Sequence, residues 1–296
     1  MTYNTDMEAQ KKRLENLAVL AHPQIPSALE EATEVTRFLE DRDVRSVDGG
    51  LDDEALRQRV RDEEFDLVVV LGGDGTVLRA CQLCAPHGIP ILAINMGSFG
   101  FLIEVSEDSW REALDQLIRG EYWLEKRMML NTRVWRDEKC ISTWDVLNDT
   151  VIARGREMRP VFLSTSLDGQ AVTTYVADAL IVATPTGSTA YALAAGGPIL
   201  PPELRNILLM PVAPHLSIDR AIVLAEGSTV GVTVLSDREA VASGDGQAPI
   251  NLVEGDFVEV RASEFTAKFV RFQEAGYFYR NLVSLMDQHP SAGAQK

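Results

Sequence analysis

The stretch FDLVVVL at residues 65–71 is the feature that most limits how this chain can fold. Its apolar, largely β-branched side chains do not alternate with polar ones, which is typical of a strand buried on both faces of a parallel sheet. A second run of this kind, IPILAIN at residues 89–95, follows after a short helical segment. The two runs predict neighbouring strands of a mostly parallel sheet.

Two helices of this first region have recognisable ends. Residues 27–40 carry apolar side chains at helical spacing, and Pro26 and Ser27 are helix start signals. Residues 109–120 form a second helical pattern, which ends on a glycine that can cap the helix. Because strand and helix patterns alternate over the first 120 residues, we predict an α/β domain.

Most segments between residues 123 and 271 have the pattern of strands instead. In chain order these are residues 128–136, 144–154, 161–167, 175–183, 207–212, 229–235, 239–242 and 257–261. Turns with Asp-Gly at 168–169 and Gly-Asp-Gly at 244–246 indicate hairpins, because these residues accommodate positive φ. One helix, around residues 188–195, interrupts the strands. This part of the chain is therefore predicted to be largely β.

These patterns divide the chain into three parts. We predict an α/β domain over residues 1–121 and a β-rich domain over residues 122–270. The tail, residues 271–296, has apolar spacing suited to a helix over residues 277–288, and we expect this helix to pack back on the first domain.

Composition narrows the list of partners. The chain has 28 Lys and Arg residues against 44 Asp and Glu residues, for a formal net charge of −16. Much of the acidic excess lies in residues 30–43 and 52–66, in outer helices where it favours solubility. We therefore expect neither nucleic acid nor a membrane as partner, since both require a cationic surface.

Cysteine content and hydropathy predict a cytoplasmic protein. Three cysteines form no disulfide framework, and the sequence contains no signal-peptide core or membrane span. Cys81, Cys84 and His87 have the spacing of three zinc ligands, but a structural zinc site needs four, and the other histidines lie far away in the sequence. We expect the two thiols to be buried on a helix.

A glycine-rich turn, GGDGT at residues 72–76, follows the first buried run and precedes a helix. Ligands of open α/β sheets bind at strand ends, and glycines let backbone N–H groups approach phosphates at a helix start. Asp74 can accept a proton from an attacking hydroxyl or help to hold Mg²⁺. The alternative is a tight turn in which Asp74 caps the helix. The lysine of a Walker loop is missing.

Three further polar clusters lie in the β-rich region. Asn148-Asp149, at a strand end, can hydrogen-bond a ribose or an adenine, or be a capping pair. The segment TPTGSTAY at residues 184–191 presents backbone donors at a helix start. The alternative is that Ser188 is simply the N-cap of this helix. The turn residues of the segment SGDGQ at residues 243–247 are fully explained by a plain hairpin, and only the order of this segment in the chain suggests a further role.

The identity and order of these motifs closely resemble the bacterial NAD kinase family (ATP/polyphosphate-NAD kinases), within the wider NAD kinase and diacylglycerol kinase-like group. The segment NMGSFGFL at residues 95–102 is similar to the N-x-G-x-x-G-F-L segment of that family. The resemblance runs from about residue 17 to residue 279. GGDGT alone is shared with diacylglycerol and sphingosine kinases, whereas its combination with TPTGSTAY is more specific.

The resemblance implies an activity and a set of site residues. Family members phosphorylate the 2′-hydroxyl of the adenosine ribose of NAD to give NADP, using ATP, polyphosphate or another donor and Mg²⁺ or another divalent metal. By resemblance Asp74 is the catalytic proton acceptor, and no dedicated metal cage is implied. The implied phosphate loop consists of Gly72, Gly73, Gly75 and Thr76. The implied substrate-binding residues are Asp74, Gly75, Arg79, Asn148, Asp149, Arg159, Asp178, Thr189, Ala190, Tyr191, Ala192, Leu193, Ala194 and Gln247.

The resemblance also suggests a homodimer or homotetramer assembled through the β-rich domain. Two other functions stay open at this stage. A lipid kinase of the diacylglycerol kinase type should show a basic or apolar membrane-facing surface, which the acidic composition does not favour. A non-catalytic NAD-sensing module would bind the dinucleotide without transferring phosphate, and the intact Asp74 does not favour this alternative.

Overall fold

The computed structural model describes residues 14–97, 100–215, 218–235 and 238–274, together with Gly276, Phe278 and Leu282. The predicted helix over residues 277–288 lies outside this part except for Phe278 and Leu282. The chain divides into two compact units, of which unit 2 comprises residues 127–266 and unit 1 comprises the residues on either side. Each boundary falls inside a long strand, where the sequence has no break in composition.

Unit 1 is an α/β unit. Its elements are β1 Asn16–Ala21, α1 Pro26–Glu40, β2 Arg45–Gly50, α2 Glu54–Arg61, β3 Leu67–Gly72, α3 Asp74–Cys84, β4 Ile91–Asn95, β5 Val105–Ser106 and α4 Trp110–Arg119. The sheet has the order β4-β3-β1-β2, and all of these pairs are parallel. Short β5 pairs with the end of β4, also in parallel. The mostly parallel α/β fold predicted for this region is confirmed.

The buried run of the sequence forms the centre of this sheet. All six residues of β3 are buried, and β1 beside it is buried over residues 17–21. The strand begins at Leu67 rather than Phe65, and the Asp66 carboxylate before it accepts hydrogen bonds from the backbone N–H groups of Glu15 and Asn16. With β3 and β4 adjacent, their carboxyl ends lie side by side at the edge where ligands bind in such sheets.

The helices of unit 1 follow the predicted start and stop signals. Helix α1 begins at Pro26, and α4 is followed by Gly120, which has a φ of +72° and ends the helix in the left-handed conformation. Cys81 and Cys84 are buried on α3, as predicted, and burial raises the pKa of the Cys84 thiol to about 12. Strand β2, with the sequence RSVDGG, was not predicted, because it has no apolar run and is a strand through its pairing with β1.

Unit 2 is largely β, as predicted. Its elements are β6 Trp123–Arg136, which begins in unit 1, β7 Lys139–Val146, β8 Asp149–Arg154, β9 Val161–Leu167, β10 Gln170–Ala177, β11 Ala179–Ala183, α5 Tyr191–Ala194, β12 Asn206–Val212, β13 Ile222–Ala225, β14 Val230–Val234, β15 Ala240–Gly244, β16 Ile250–Leu252 and β17 Phe257–Arg271, whose end returns to unit 1. The end of β17 pairs in parallel with β4 at Phe269 and Ile91.

The strands of unit 2 form two antiparallel layers around one core. One layer has the order β10-β9-β14-β17, with the hairpin β6-β7 belonging to the same sheet. The other has the order β13-β12-β11-β8-β15-β16. Leu163 and Tyr175 from the first layer share one buried cluster with Leu180 and Val182 from the second.

Two predicted strands of this region are wrong in the same way. The runs 144–154 and 175–183 each comprise two strands, separated at residues 147–148 and at Asp178. At each break the chain passes from one layer to the other, from β7 to β8 and from β10 to β11. Both halves of each run are apolar because both face the same core, so the change of layer left no pattern in the sequence.

The predicted helix around residues 188–195 is also corrected. A 3-10 turn, Gly187–Thr189, precedes the short helix α5, and Ala190 between them is not helical, with φ −100° and ψ −123°. Ser188 is therefore not an N-cap, and its Oγ donates to the carbonyl of Pro185 at 2.6 Å. The hairpin between β9 and β10 is as predicted, with φ of +50° at Asp168 and +78° at Gly169. In the described part of the chain, no helix has the length and apolarity to span a membrane.

Candidate active site

The glycine-rich turn joins β3 to α3 at the carboxyl edge of the sheet in unit 1. Gly73 is the N-cap of α3, and its carbonyl accepts hydrogen bonds from the N–H groups of Thr76 and Val77 at 2.9 and 3.2 Å. Asp74 is therefore the first residue of the helix and does not cap it. This leaves its carboxylate free of the local capping role that the sequence also allowed.

The carboxylate of Asp74 is held by a segment that follows β4. The N–H of Phe101 donates to Asp74 Oδ2 at 2.8 Å, and the N–H of Leu102 donates to Oδ1 at 3.2 Å. Gly100 makes this approach possible, since a Cβ at that position would lie 2.1 Å from Asp74 Oδ1. Two backbone donors thus fix the orientation of both carboxylate oxygens.

Two buried oxygen atoms beside this turn have no hydrogen-bond partner among the described residues. They are Thr76 Oγ1, on a residue that is 2% exposed, and Asn95 Oδ1. Asn95 pairs with Gly72 across β4 and β3, and a Cβ on Gly72 would lie 2.4 Å from Thr76 Oγ1. Because buried polar atoms are normally paired, the two oxygens are available to a bound ligand or ion.

The turn itself has room on its outer side. A Cβ placed on Gly73 or Gly75 would meet no described atom within 4 Å, and Gly75 is exposed. Arg79, one turn further along α3, is exposed and donates from Nε to the carbonyl of Gly75 at 3.4 Å. A ligand can therefore approach the backbone at the start of α3, where the helix dipole favours anions.

In unit 2, Asp149 and Asp245 form a tight pair at the start of β8. The carboxylate of Asp245 accepts hydrogen bonds from the backbone N–H groups of Leu147, Asn148 and Asp149, at 2.8, 2.8 and 3.2 Å. In return, the N–H of Asp245 donates to the carbonyl of Asp149 at 2.9 Å. Asp245 thus organises the turn between β7 and β8 on which the Asn148-Asp149 motif lies.

The electrostatics of this pair favour a neutral Asp149. Asp149 is 5% exposed, and its burial, followed by the negative charge of Asp245, raises the pKa of its carboxyl to about 7. The group consequently exchanges its proton close to pH 7 and is mostly protonated below that pH. A protonated carboxyl can donate as well as accept hydrogen bonds, which widens the set of polar ligand groups that it can contact.

Thr184 connects this turn to the TPTGSTAY segment. Its Oγ1 donates to the carbonyl of Leu147 at 2.5 Å and accepts from the N–H of Gly187 at 3.0 Å. Its own N–H donates to the carbonyl of Asn148 at 2.8 Å, and a Cβ on Gly187 would lie 2.0 Å from that same carbonyl oxygen. Three of the predicted clusters therefore meet in unit 2, through contacts that sequence reasoning did not assign to Thr184 or Asp245.

Two family models match this chain. The model described as ATP-NAD kinase N-terminal domain covers residues 17–122, and the model described as ATP-NAD kinase C-terminal domain covers residues 147–272. The chain belongs to the NAD kinase family. The resemblance inferred from the four motifs is confirmed, and so is the enzyme class that it implied.

Relatives and solved structures agree with this membership. An NAD kinase of Chloroflexus aurantiacus is 38% identical over 276 residues, which is 92% of this chain and 98% of that protein, and one of Heliobacterium modesticaldum is 43% identical over 224 residues, 75% and 78% respectively. A crystal structure of yeast NADH kinase complexed with NADH has a TM-score of 0.83 at 26% identity and covers 95% of this chain and 89% of that one. An NAD kinase from Archaeoglobus fulgidus in complex with ATP has a TM-score of 0.75 at 25% identity, with 92% and 99% covered.

The short helix α5 and the residues before it include the segment 189–194, which is predicted to bind substrate in this NAD kinase family member. Thr189 and Ala192 are buried, whereas Tyr191 is 44% exposed and Ala194 is exposed as well. Thr189 Oγ1 donates back to the carbonyl of Thr186 at 3.0 Å. The residues predicted to bind substrate here, 189–194, thus include two that present side chains to solvent.

Of three other residues predicted to bind substrate in this family, Asp178 and Arg159 lie apart from the Asp149 turn, whereas Gln247 lies near it. Ala183, at one end of β11, pairs with Asp149, and Asp178 precedes the opposite end of that strand. Asp178 forms a 3.1 Å ion pair with Arg154. Arg159 is exposed in the connection between β8 and β9. Gln247 is exposed two residues after Asp245, and its N–H donates to the carbonyl of Gly244 at 2.9 Å.

Proposed function

We propose that this member of the NAD kinase family phosphorylates the 2′-hydroxyl of the adenosine ribose of NAD, with ATP as donor, to give NADP. The observation that carries the proposal is the Asp74 carboxylate, held by two backbone N–H groups at the start of α3 beside an open glycine-rich turn. The solved relatives bound to NADH and to ATP support both substrates.

In this proposal Asp74 is the proton acceptor. A ribose hydroxyl is a poor acid, so its attack on a phosphoryl group is helped by a carboxylate that takes the proton in the transition state. The two backbone donors on Asp74 fix the direction of its oxygens before substrate arrives, which favours catalysis by orientation. The phosphate loop, formed by Gly72, Gly73, Gly75 and Thr76, holds the donor phosphates through its backbone N–H groups and the Thr76 hydroxyl.

A divalent metal fits the oxygen atoms at this turn. Mg²⁺ usually binds to one or two protein oxygens together with substrate phosphates, rather than in a cage of protein ligands. No group of three or more His, Cys, Asp or Glu residues forms such a cage in the described part of the chain. The Oδ1 of Asn95, which has no partner among the described residues, would hold the ion together with the substrate phosphates. When bound, Mg²⁺ supplies neutralisation of the phosphate charge.

Unit 2 supplies the dinucleotide contacts in this proposal. Asn148 and Asp149 would contact the ribose and adenine, and the segment Thr189–Ala194 would present small side chains and the Tyr191 ring. Their support is that Thr184, Gly187 and Asp245 hold the turn and the helix entry in one arrangement. Arg79, Arg159, Asp178 and Gln247 belong to the same proposal as further contacts.

Assembly and location complete the proposal. We propose a homodimer or homotetramer built through unit 2, because several large apolar side chains of its strands are exposed. These include Phe162, Val172 and Val223, at 37 to 48% exposure, and Leu235, directly after β14, is 48% exposed as well. We also propose a cytoplasmic location, for which the cysteine content and hydropathy are the support, and no nucleic-acid or membrane partner, for which the net charge of −16 is the support.

The test is an incubation of the purified protein with NAD, Mg²⁺ and either ATP or polyphosphate, followed by assay of NADP. We expect NADP from the unaltered protein and a fall of about 10²- to 10⁴-fold in kcat for Asp74→Asn, with NAD binding retained in calorimetry. Asp108→Asn, at an exposed aspartate before α4, is the control and should keep full activity.

Each contrary result has a distinct meaning. If no donor yields NADP while NAD still binds, the protein is a dinucleotide-sensing module. If a diacylglycerol or sphingosine substrate is phosphorylated instead, it is a lipid kinase. Full turnover by Asp74→Asn would overturn the role of Asp74.

A further inference from the structure

Arg271, the last residue of β17, is a charged side chain buried inside unit 1. Only 2% of it is exposed. Its Nε lies 2.8 Å from Glu125 Oε2, and both of its terminal nitrogens lie 3.1 Å from the carbonyl oxygen of Leu102. One guanidinium group therefore joins a buried carboxylate to a single backbone carbonyl of the segment that follows β4.

The same segment holds Asp74. The N–H of Leu102 donates to Asp74 Oδ1, and the N–H of Phe101 donates to Oδ2. Leu102 thus accepts hydrogen bonds from Arg271 at its carbonyl and donates one to Asp74 from its amide. A shift of the Leu102 backbone would move a donor on which the orientation of the carboxylate depends.

Glu104 provides a second connection between this segment and the end of β17. Its Oε1 accepts hydrogen bonds from the N–H groups of Phe272 and Gln273, at 3.2 and 2.7 Å. Its Oε2 lies 4.0 Å from Arg271 Nε. The position of Arg271 relative to residues 101–104 is consequently fixed by two sets of contacts, those of its own side chain with Leu102 and those of Glu104 with the backbone after β17.

Stability alone is a weak reason for a buried ion pair of this kind. Removing two charges from water is costly, and well-packed hydrophobic residues of similar volume often stabilise a core equally well. What arginine offers instead is a rigid, planar fork of donors with fixed directions. Such a fork is suited to holding one carbonyl group in place.

We propose that Arg271 is a positioning residue for Asp74. Through the carbonyl of Leu102 it fixes the peptide segment whose N–H groups orient the carboxylate, and it does not itself touch either substrate. The proposal rests on the function proposed above, in which Asp74 accepts the proton of the ribose hydroxyl.

The first test compares Arg271→Lys with Arg136→Lys. Lysine keeps the charge but lacks the fork. Arg136 in unit 2 is the control for loss of a two-point ion pair, because its Nε and a terminal nitrogen donate to the buried carboxylate of Asp256 at 2.9 and 2.7 Å while 37% of its own side chain is exposed. We expect Arg271→Lys to lower kcat about 10- to 100-fold while KM for NAD changes less than about threefold, and Arg136→Lys to keep kcat.

Melting temperatures of both variants separate positioning from general damage. If both variants fall in Tm but only Arg271→Lys loses kcat, the result supports the proposal. Unchanged kcat in Arg271→Lys, or losses of kcat that follow Tm equally in both variants, would overturn it. If Arg271→Lys does not fold, Glu125→Gln takes its place, because it weakens the ion pair that orients the guanidinium. We then expect a smaller fall in kcat with KM for NAD unchanged, and an unchanged kcat would overturn the proposal.

The double variant Asp74→Asn/Arg271→Lys tests whether Arg271 acts through Asp74. We expect its residual rate to equal that of Asp74→Asn alone, because residues that act as a unit are not additive. Multiplied losses would overturn the proposal. Full activity of Asp74→Asn by itself would instead overturn the role of Asp74, on which this proposal rests, and no NADP from the unaltered protein would overturn the proposed function. An inactive Asp74→Asn beside a fully active Arg271→Lys would overturn only the role of Arg271.

Discussion

Gly100 lies so close to Asp74 that a Cβ on Gly100 would stand 2.1 Å from Asp74 Oδ1 and 2.7 Å from its Cγ. The carboxylate is the end of a short side chain that can rotate away, so an added methyl group would misdirect it rather than unfold unit 1. We expect Gly100→Ala to lower kcat about 100-fold and the free energy of unfolding by about 1–2 kcal/mol.

Steady-state kinetics and urea unfolding check this expectation together. Gly227→Ala is the matched control, since a Cβ at that glycine meets no described atom within 4 Å. Equal kcat values for the two alanine variants would show that the contact between Gly100 and Asp74 does not matter for turnover.

Gly187→Ala should destabilise the protein more than Gly100→Ala, because its new Cβ meets backbone atoms and not the end of a side chain. The new Cβ would lie 2.0 Å from the carbonyl oxygen of Asn148 and 2.4 Å from its carbonyl carbon, and backbone atoms cannot rotate away. We expect the free energy of unfolding to fall by about 3 kcal/mol, at the upper end of what overpacking costs. Urea unfolding beside Gly227→Ala measures it, and equal stabilities would contradict the expectation.

Asp149 should make the stability of the protein depend on pH. Its pKa in the folded protein is about 7, against roughly 4 for an aspartate in the unfolded chain. Between these values the folded state holds a proton that the unfolded state has released, so the free energy of unfolding falls as pH rises from about 4 to 7. Asp149→Asn removes this titration.

We therefore expect Asp149→Asn to match the unaltered protein in stability at pH 4 and to exceed it at pH 8, by on the order of a few kcal/mol. Urea unfolding at pH 4, 6 and 8 measures the difference. Asp219→Asn, at an exposed aspartate of the same unit, should show no such trend. A difference that is independent of pH would mean that Asp149 is charged throughout this range.

Two variants of Thr184 distinguish the contribution of its hydroxyl hydrogen bonds from that of its side-chain packing. Thr184→Val removes one donor and one acceptor, and leaves the carbonyl of Leu147 and the N–H of Gly187 without this partner. We expect a loss of roughly 1–3 kcal/mol in the free energy of unfolding and a higher KM for NAD. Thr184→Ser keeps the hydroxyl and should lose less. If the valine variant equals the serine variant in both stability and KM, the hydrogen bonds contribute nothing.

Elements with local signals in the chain were predicted well. The run at residues 65–71 is the buried β3, and the Asp168-Gly169 turn has the positive φ values that its residues allow. The position of GGDGT between a strand and a helix was likewise readable. In each case neighbouring residues supply the reason, whether a run of apolar side chains, a glycine or a helix start.

Elements whose cause is distant in the sequence were missed. The breaks at residues 147–148 and at Asp178 occur where the chain changes layers, and β2 is a strand because β1 lies beside it. Asp74 was singled out as the acid of the turn, but its donors come from residues 101 and 102. No periodicity or motif near Asp74 could indicate them.

The chain's own patterns were thus enough for the α/β and β-rich parts, the glycine-rich turn and the family. Folding added the partners of each functional group: Phe101 and Leu102 for Asp74, and Thr184 for the turn that carries Asn148. Arg271 meets Leu102 across 169 positions. The physical reason is that hydrogen bonds and burial act over a few ångströms in space, whatever the separation along the chain, whereas turns and strand patterns depend on adjacent residues.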